Sequence, residues 1–375
     1  MVSNNFCALP FGHTRIGTTG DFAVCCYHLT PEPYRININN NKIDHWLESD
    51  YLKEVKQSFR DGQQHPGCST CWKSENLGLS SMRNRITNEY QILGVNESTN
   101  YPVNIEIQLG NLCNLKCLMC NENWSSSILA ENIKLKINTH QQKDFQWSSE
   151  GFDNLEEIIA QGPRVLNIRG GEPFYNKDLL QIIENLSTKA CNQTVLHITT
   201  NATQWSDRWT KALTRFKLIR IMFSIDAIGD LYEYIRFPAS WTDTQTNINE
   251  MVKCSNIKPM VHCTVQNLNI GVIGSVIQWS KEKKLYLQLE QLSQPDWLIL
   301  TNLPRQSKIN AIQHLENVLQ WDLPDYLKQQ IVSYHTQITE SLTESTDSLL
   351  WTQFRAHITL RDQHRNNSYK RFLLD

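Results

Sequence analysis

Gly110-Asn111-Leu112-Cys113-Asn114-Leu115-Lys116-Cys117-Leu118-Met119-Cys120 is the stretch on which the reading of this chain turns. It sets three cysteines in CxxxCxxC spacing, in a short loop after a strand-like run from Val103 to Leu109. Three thiolates hold three irons of a cubane cluster and leave the fourth iron open to a ligand. A four-thiolate site is closed, and mainly stores charge or staples a fold. Structural zinc competes for such a loop, but it takes four protein ligands, and no fourth lies inside this one.

Outward from the loop, six strand-like runs recur: Val103–Gln108, Arg164–Arg169, Thr194–Thr200, Leu218–Asp226, Pro259–Gln266 and Lys284–Glu290. Helical patterns fill most of the gaps, as at Leu179 to Leu186 and Asp207 to Phe216. Strand–helix alternation predicts an α/β fold with a parallel sheet, open or curled into a partial barrel. Such sheets carry their sites in the loops at the strand C-terminal ends. The cysteine loop falls at that end of the first run. Asn167-Ile168-Arg169-Gly170-Gly171-Glu172-Pro173 falls at that end of the second. Paired glycines let a ligand approach the backbone, Glu172 offers an anion to a cationic amine, and Pro173 halts the strand.

The composition is that of an ordinary soluble protein: 375 residues, 40% hydrophobic, 20% charged and a formal net charge of −2. No basic stripe argues for nucleic acid, no apolar run reaches the roughly 20 residues of a membrane span, and the first residues lack a signal-peptide pattern. A cytoplasmic location is expected. The 11 cysteines are odd in number and clustered, which argues against a disulfide framework and for metal or cluster ligation. Cys7, Cys25, Cys26, Cys68 and Cys71 form one group; Cys191, Cys254 and Cys263 read as packing residues. Four cysteines from separate segments suit either tetrahedral zinc or a closed iron–sulfur cluster. Residues 1–100 are read as a cysteine-rich module and linker, 101–300 as the α/β core, and 301–375 as packing helices.

The cysteine loop together with the GGEP run resembles the radical S-adenosylmethionine (SAM) superfamily. The resemblance implies a partial (β/α)6 TIM-like barrel, with the small N-terminal module and C-terminal helices as additions. It implies that Cys113, Cys117 and Cys120 ligate a [4Fe-4S] cluster whose open iron takes SAM. Met119 stands where the family has an aromatic residue, and its thioether is expected to pack on adenine. Gly170, Gly171, Glu172 and Pro173 would meet the methionyl amine. Asn201, in Thr200-Asn201, and Ser224 and Asp226, in Ser224-Ile225-Asp226-Ala227, match further rim motifs. Gln266, in Val265-Gln266-Asn267, matches a segment near adenine. The family's chemistry is reductive cleavage of SAM to a 5'-deoxyadenosyl radical, which abstracts hydrogen from a substrate. It needs an external one-electron donor such as flavodoxin or ferredoxin.

The N-terminal group resembles a SPASM or twitch auxiliary-cluster module. That favours a second [4Fe-4S] cluster on Cys7, Cys25, Cys68 and Cys71, with Cys26 the competitor for the second position. Enzymes of this type act on peptides, protein side chains and small molecules, and peptide modification is the leading expectation. A small-molecule dehydrogenase is the enzymatic alternative. A noncatalytic iron–sulfur or zinc interaction protein is the alternative from a different class.

Overall fold

In the computed structural model the described residues are 5–78, 80–96, 98–99, 101–137, 145–343 and 349–373. They form an α/β fold with an eight-stranded, mostly parallel sheet: β1 (His13–Ile16), β2 (Phe22–Ala23), β3 (Asn104–Gln108), β4 (Val165–Arg169), β5 (Val195–Thr200), β6 (Leu218–Ser224), β7 (Ile257–Val265) and β8 (Tyr286–Gln291). The strand order is β2-β1-β3-β4-β5-β6-β7-β8. Strands β3 to β8 are the six anticipated runs, each trimmed or shifted by a few residues, and they carry the strand–helix alternation of a partial TIM-like barrel. β1 was not anticipated. His13-Thr14-Arg15-Ile16 contains one aliphatic residue, too little for a pattern, yet it pairs in parallel with β3.

Six of the helices between strands start where the sequence supplies a side-chain cap. Ser125, Ser148, Asn176, Ser187, Ser206 and Ser240 each accept the backbone N–H three residues on, which satisfies an otherwise orphaned donor. The described residues of 121–160 hold helices Ser126–Lys134 and Ser149–Ala160.

Two compact units share the chain. The first comprises 1–113, 140–199 and 206–220; the second comprises 114–139, 200–205 and 221–375. The first has a core of isoleucines in register. Ile16, Ile107 and Ile168 pair across β1, β3 and β4, and Ile198 continues the row on β5. All four are at most 2% exposed. The second unit ends in three helices, Arg305–Leu319, Asp325–Glu340 and Leu349–Arg365. Their buried faces include Leu315, Ile331, Ile338 and Phe354. No helix among the described residues is long and apolar enough to cross a membrane.

Candidate functional site

In the first unit the GGEP run closes onto the start of the cysteine loop. The Glu172 N–H donates to the Leu112 carbonyl at 2.8 Å. Gly171 has φ +54°, and a Cβ there would stand 2.3 Å from the Leu112 oxygen. Gly170, at φ +88°, presses in the same way on Gln108, 3.0 Å from a virtual Cβ to Cα. The two glycines are thus explained by backbone docking against the strand and loop that lead to Cys113. The buried Glu172 carboxylate accepts from the Phe174 N–H at 3.0 Å and caps a short turn that starts at Pro173.

In the second unit the remainder of the cysteine loop is fastened through its backbone. Lys116 N–H donates to the Phe237 carbonyl (2.6 Å) and Leu118 N–H to that of Ile235 (2.9 Å). The Ser125 hydroxyl donates to the Leu115 carbonyl at 2.6 Å, and the Arg365 guanidinium to the Lys116 carbonyl at 3.0 Å. Asn201, a predicted site residue, donates its amide to Asn114 Oδ1 at 3.1 Å, and Asn114 donates on to Thr203.

Two buried ion pairs flank this loop. Asp226, fully buried, pairs with Arg236 at 2.8 Å and accepts the Thr264 N–H at 2.8 Å. Arg236 Nη1 in turn reaches Cys117 Sγ at 3.8 Å. Burial pushes the Cys117 thiol up and the Arg236 charge opposes this, so the guanidinium favours a thiolate there. Asp226 therefore bears on Cys117 through Arg236. The second pair joins Glu131 to Arg365 at 2.6 Å, with Arg361 and Lys116 close by. Burial raises the Glu131 pKa, but these cations outweigh it and hold the carboxyl below its usual range. Arg236 and Arg365 are not legible as site residues in the sequence, because neither belongs to a motif and the C-terminal helices read as packing alone.

Met119 and Ser224 are half-buried. Gln266, at the end of β7, is fully buried, and neither its Oε1 nor its Nε2 has a partner. Such an amide carries a desolvation cost of about 1–3 kcal/mol until something answers it. One donor and one acceptor side by side fit the edge of an adenine. Cys263 is buried with its sulfur 3.6 Å from the Asp226 carbonyl, a packing position.

The N-terminal cysteines converge, apart from one. Cys7, Cys25, Cys68 and Cys71 line a common cavity, together with His28 and Arg83. Burial pushes the thiols of Cys7 and Cys68 up to about 12, and their neighbouring thiols add to the shift. Metal or cluster ligation relieves such a cost by removing the proton. Cys26 is exposed and does not line the cavity, although its Sγ lies 3.6 Å from Sδ of Met82, which does. Among the described residues, His28, His65 and Cys68 alone bring three metal-type ligand atoms within 4.8 Å of one another. The two imidazoles are stacked at 26°, His65 Nδ1 accepts the Gly67 N–H, and His28 Nδ1 lies 3.5 Å from Cys68 Sγ. Neither Cys113, Cys117 and Cys120 nor the cavity cysteines are drawn to that single-ion spacing. Zinc, with bonds of about 2.3 Å to sulfur, demands it, whereas a cubane holds its thiolates further apart.

Residues 107–265 match the Radical SAM superfamily. This stretch is a radical SAM domain, and it contains the cysteine triad, the GGEP run and the strands from β4 to β7. The chain is 24% identical over 194 residues to a protein named "Probable GTP 3',8-cyclase" of Thermococcus kodakarensis, covering 51% of this chain and 57% of that protein. It is 20% identical over 177 residues to the "Sporulation killing factor maturation protein SkfB" of Bacillus subtilis, covering 47% and 39%. The chain spans about half the length of the curated relatives it matches. Among solved structures it resembles Streptococcus suis SuiB bound to precursor peptide SuiA, with a TM-score of 0.41 and 15% identity over 84% of this chain and 69% of that one.

Proposed function

We propose that this chain is a radical SAM enzyme that modifies a peptide or protein. The observation that carries this reading is the docking of the GGEP turn on the cysteine loop, with Glu172 N–H on the Leu112 carbonyl and no room for a Cβ at Gly171. A turn that served only to end a strand would not need that fit. When bound, a [4Fe-4S] cluster on Cys113, Cys117 and Cys120 with SAM on its open iron supplies reductive cleavage to a 5'-deoxyadenosyl radical and hydrogen abstraction. Met119, Gly170, Gly171, Glu172, Pro173, Asn201, Ser224 and Gln266 are assigned to holding the loop or SAM. Asp226 is assigned to positioning Arg236. The unanswered amide of Gln266 supports a bound nucleoside.

Residues 1–100 are assigned a second [4Fe-4S] cluster on Cys7, Cys25, Cys68 and Cys71. Their shared cavity supports this, and that Cys25 lines it while Cys26 does not supports Cys25 as the second ligand. Residues 101–300 carry the radical chemistry, and 301–375 the supporting helices. A flavodoxin or ferredoxin is the expected electron donor. Peptide modification is preferred because a relative is named as a maturation protein; the GTP cyclase relative keeps a small-molecule substrate as the second reading.

The test is anaerobic reconstitution, with iron, sulfide and zinc counted per chain, followed by dithionite and SAM. About eight irons and eight sulfides with release of 5'-deoxyadenosine are expected. Zinc without iron, or no nucleoside release from iron-loaded protein, would overturn the proposal.

A further inference from the structure

A parallel sheet is normally buried on both faces and built from near-continuous aliphatic runs. In the first unit only one face obeys. The register that lines up Ile16, Ile107, Ile168 and Ile198 alternates with a row in which Arg15 pairs with Glu106, Glu106 with Asn167, and Asn167 with His197, across β1, β3, β4 and β5. Paired residues of neighbouring strands point to the same side, so this row lies on the opposite face from the isoleucines. One step further along that face, Gln108 pairs with Arg169. Arg169 and Arg220 both act electrostatically on His197, which places Arg220 of β6 beside the row as well.

The cations on this face outnumber the anions. Glu106 is 5% exposed and receives Arg15 Nε at 3.7 Å and Arg169 Nε at 3.8 Å on the same oxygen. Neither contact is short enough to be a hydrogen bond. Arg15 spends one Nη on Gln108, and its buried Nε has no hydrogen-bond partner. Among the described residues, neither the Arg169 nor the Arg220 side chain makes a hydrogen bond, and both residues are exposed. His197 Nε2 is buried and unpartnered. Burial and the two arginines push this imidazole down to about 4, and burial also lowers His13. Both histidines are therefore neutral at pH 7. Three guanidiniums thus face one carboxylate. Solvated surface arginines would account for Arg220 alone, but not for a polar row across four strands where aliphatic side chains belong.

We propose that this face binds an oxyanion, a carboxylate or a phosphate carried by the substrate, with Arg169 and Arg220 as its ligands and the Arg15–Glu106–Gln108 network as a fixed floor. Planar forked donors suit both oxyanions. That the anion belongs to the substrate rests on the functional reading above; the binding site itself does not. Arg169 immediately precedes Gly170, so a group held there is anchored next to the GGEP turn. The exposed Cys26 thiol feels Glu106, Arg15 and Arg169, which puts the residue after Cys25 at the edge of the same face.

The test uses the full chain as purified and calorimetric titration with three probes: capped triglutamate, tripolyphosphate and capped triglutamine. Binding of one or both charged probes is expected, weakened by added salt. R169Q and R220Q should each reduce it about 10-fold, while R208Q, which breaks an unrelated surface pair with Glu184, leaves it intact. Tighter triglutamate binding identifies an acidic peptide as the source, and tighter tripolyphosphate binding a phosphorylated small molecule. Equal binding of triglutamine, no binding at all, or undiminished binding by the folded R169Q/R220Q double variant would overturn the site. SAM cleavage by the wild-type chain without any probe is scored separately. Its absence would sink the radical reading and leave the anion site standing.

Discussion

The two groups of cysteines reach their geometry by opposite routes. Cys113, Cys117 and Cys120 lie within one short loop, and the fold supplies its fastening. Carbonyls of Ile235 and Phe237, the Ser125 hydroxyl and the Arg365 guanidinium bind its backbone. Cys7, Cys25, Cys68 and Cys71 come from three distant segments and are gathered by packing among residues such as Phe59 and Leu9. The first arrangement costs little chain entropy to close. The second must close long loops, whose cost grows with their length, so a bound metal or cluster contributes to folding there. A local site is held by hydrogen bonds and ion pairs, and a non-local one by core packing and its own ligand.

The sharpest way to break this comparison is to remove one ligand from each group. Alanine at Cys113, Cys117 or Cys120 should reduce 5'-deoxyadenosine release to background while iron remains at the N-terminal group. Cys71→Ser should remove about four irons and leave SAM cleavage without substrate intact, and Cys26→Ser should change neither count. Iron analysis with nucleoside chromatography reads both; unchanged iron in Cys71→Ser would refute the auxiliary assignment. Next in size is Arg236→Met, which strands the fully buried Asp226 carboxylate. Removing one partner of a buried pair costs about 3–5 kcal/mol, seen as a lower urea midpoint, and cluster loading at the triad should fall more than at the N-terminal group.

Gly171→Ala should cost about 1–3 kcal/mol, from strain at positive φ and overpacking on Leu112. Calorimetric melting checks this, and an unchanged Tm would remove the docking argument. The smallest effect is acid sensitivity. His13 is held neutral by burial, so its contribution is complete above about pH 6.5 and drains as pH falls through its lower folded value. Glu131 is held ionised by Arg365, Arg361 and Lys116, so its contribution is complete above about pH 4.5 and is lost only below that. Amide exchange near pH 5 should therefore quicken in β1 and β3 before it does in helix Ser126–Lys134.

Much of this was legible beforehand, and the failures share a cause. The six core strands announced themselves through aliphatic runs, and the cysteine loop and GGEP through spacing. What a residue does for a neighbour far along the chain was not legible. Gly171 reads as an opening for a ligand and turns out to admit the Leu112 carbonyl. Asp226 reads as a rim acid and is committed to Arg236. Arg15 lies in a four-residue strand that no periodicity reveals, and the charged row it belongs to emerges once the parallel register is known.

The hydrogen bond from Arg365 to the Lys116 carbonyl spans 249 residues. At a synthesis rate of about 5–20 residues per second, the cysteine loop leaves the ribosome roughly 12–50 s before the helix that secures it. During that interval its thiols are made but not anchored, and Glu131 waits without its arginine. Cluster delivery to this loop is therefore expected to follow synthesis of helix Leu349–Arg365, which makes the order of assembly, and not only the supply of iron and sulfide, a determinant of how much active protein a cell obtains.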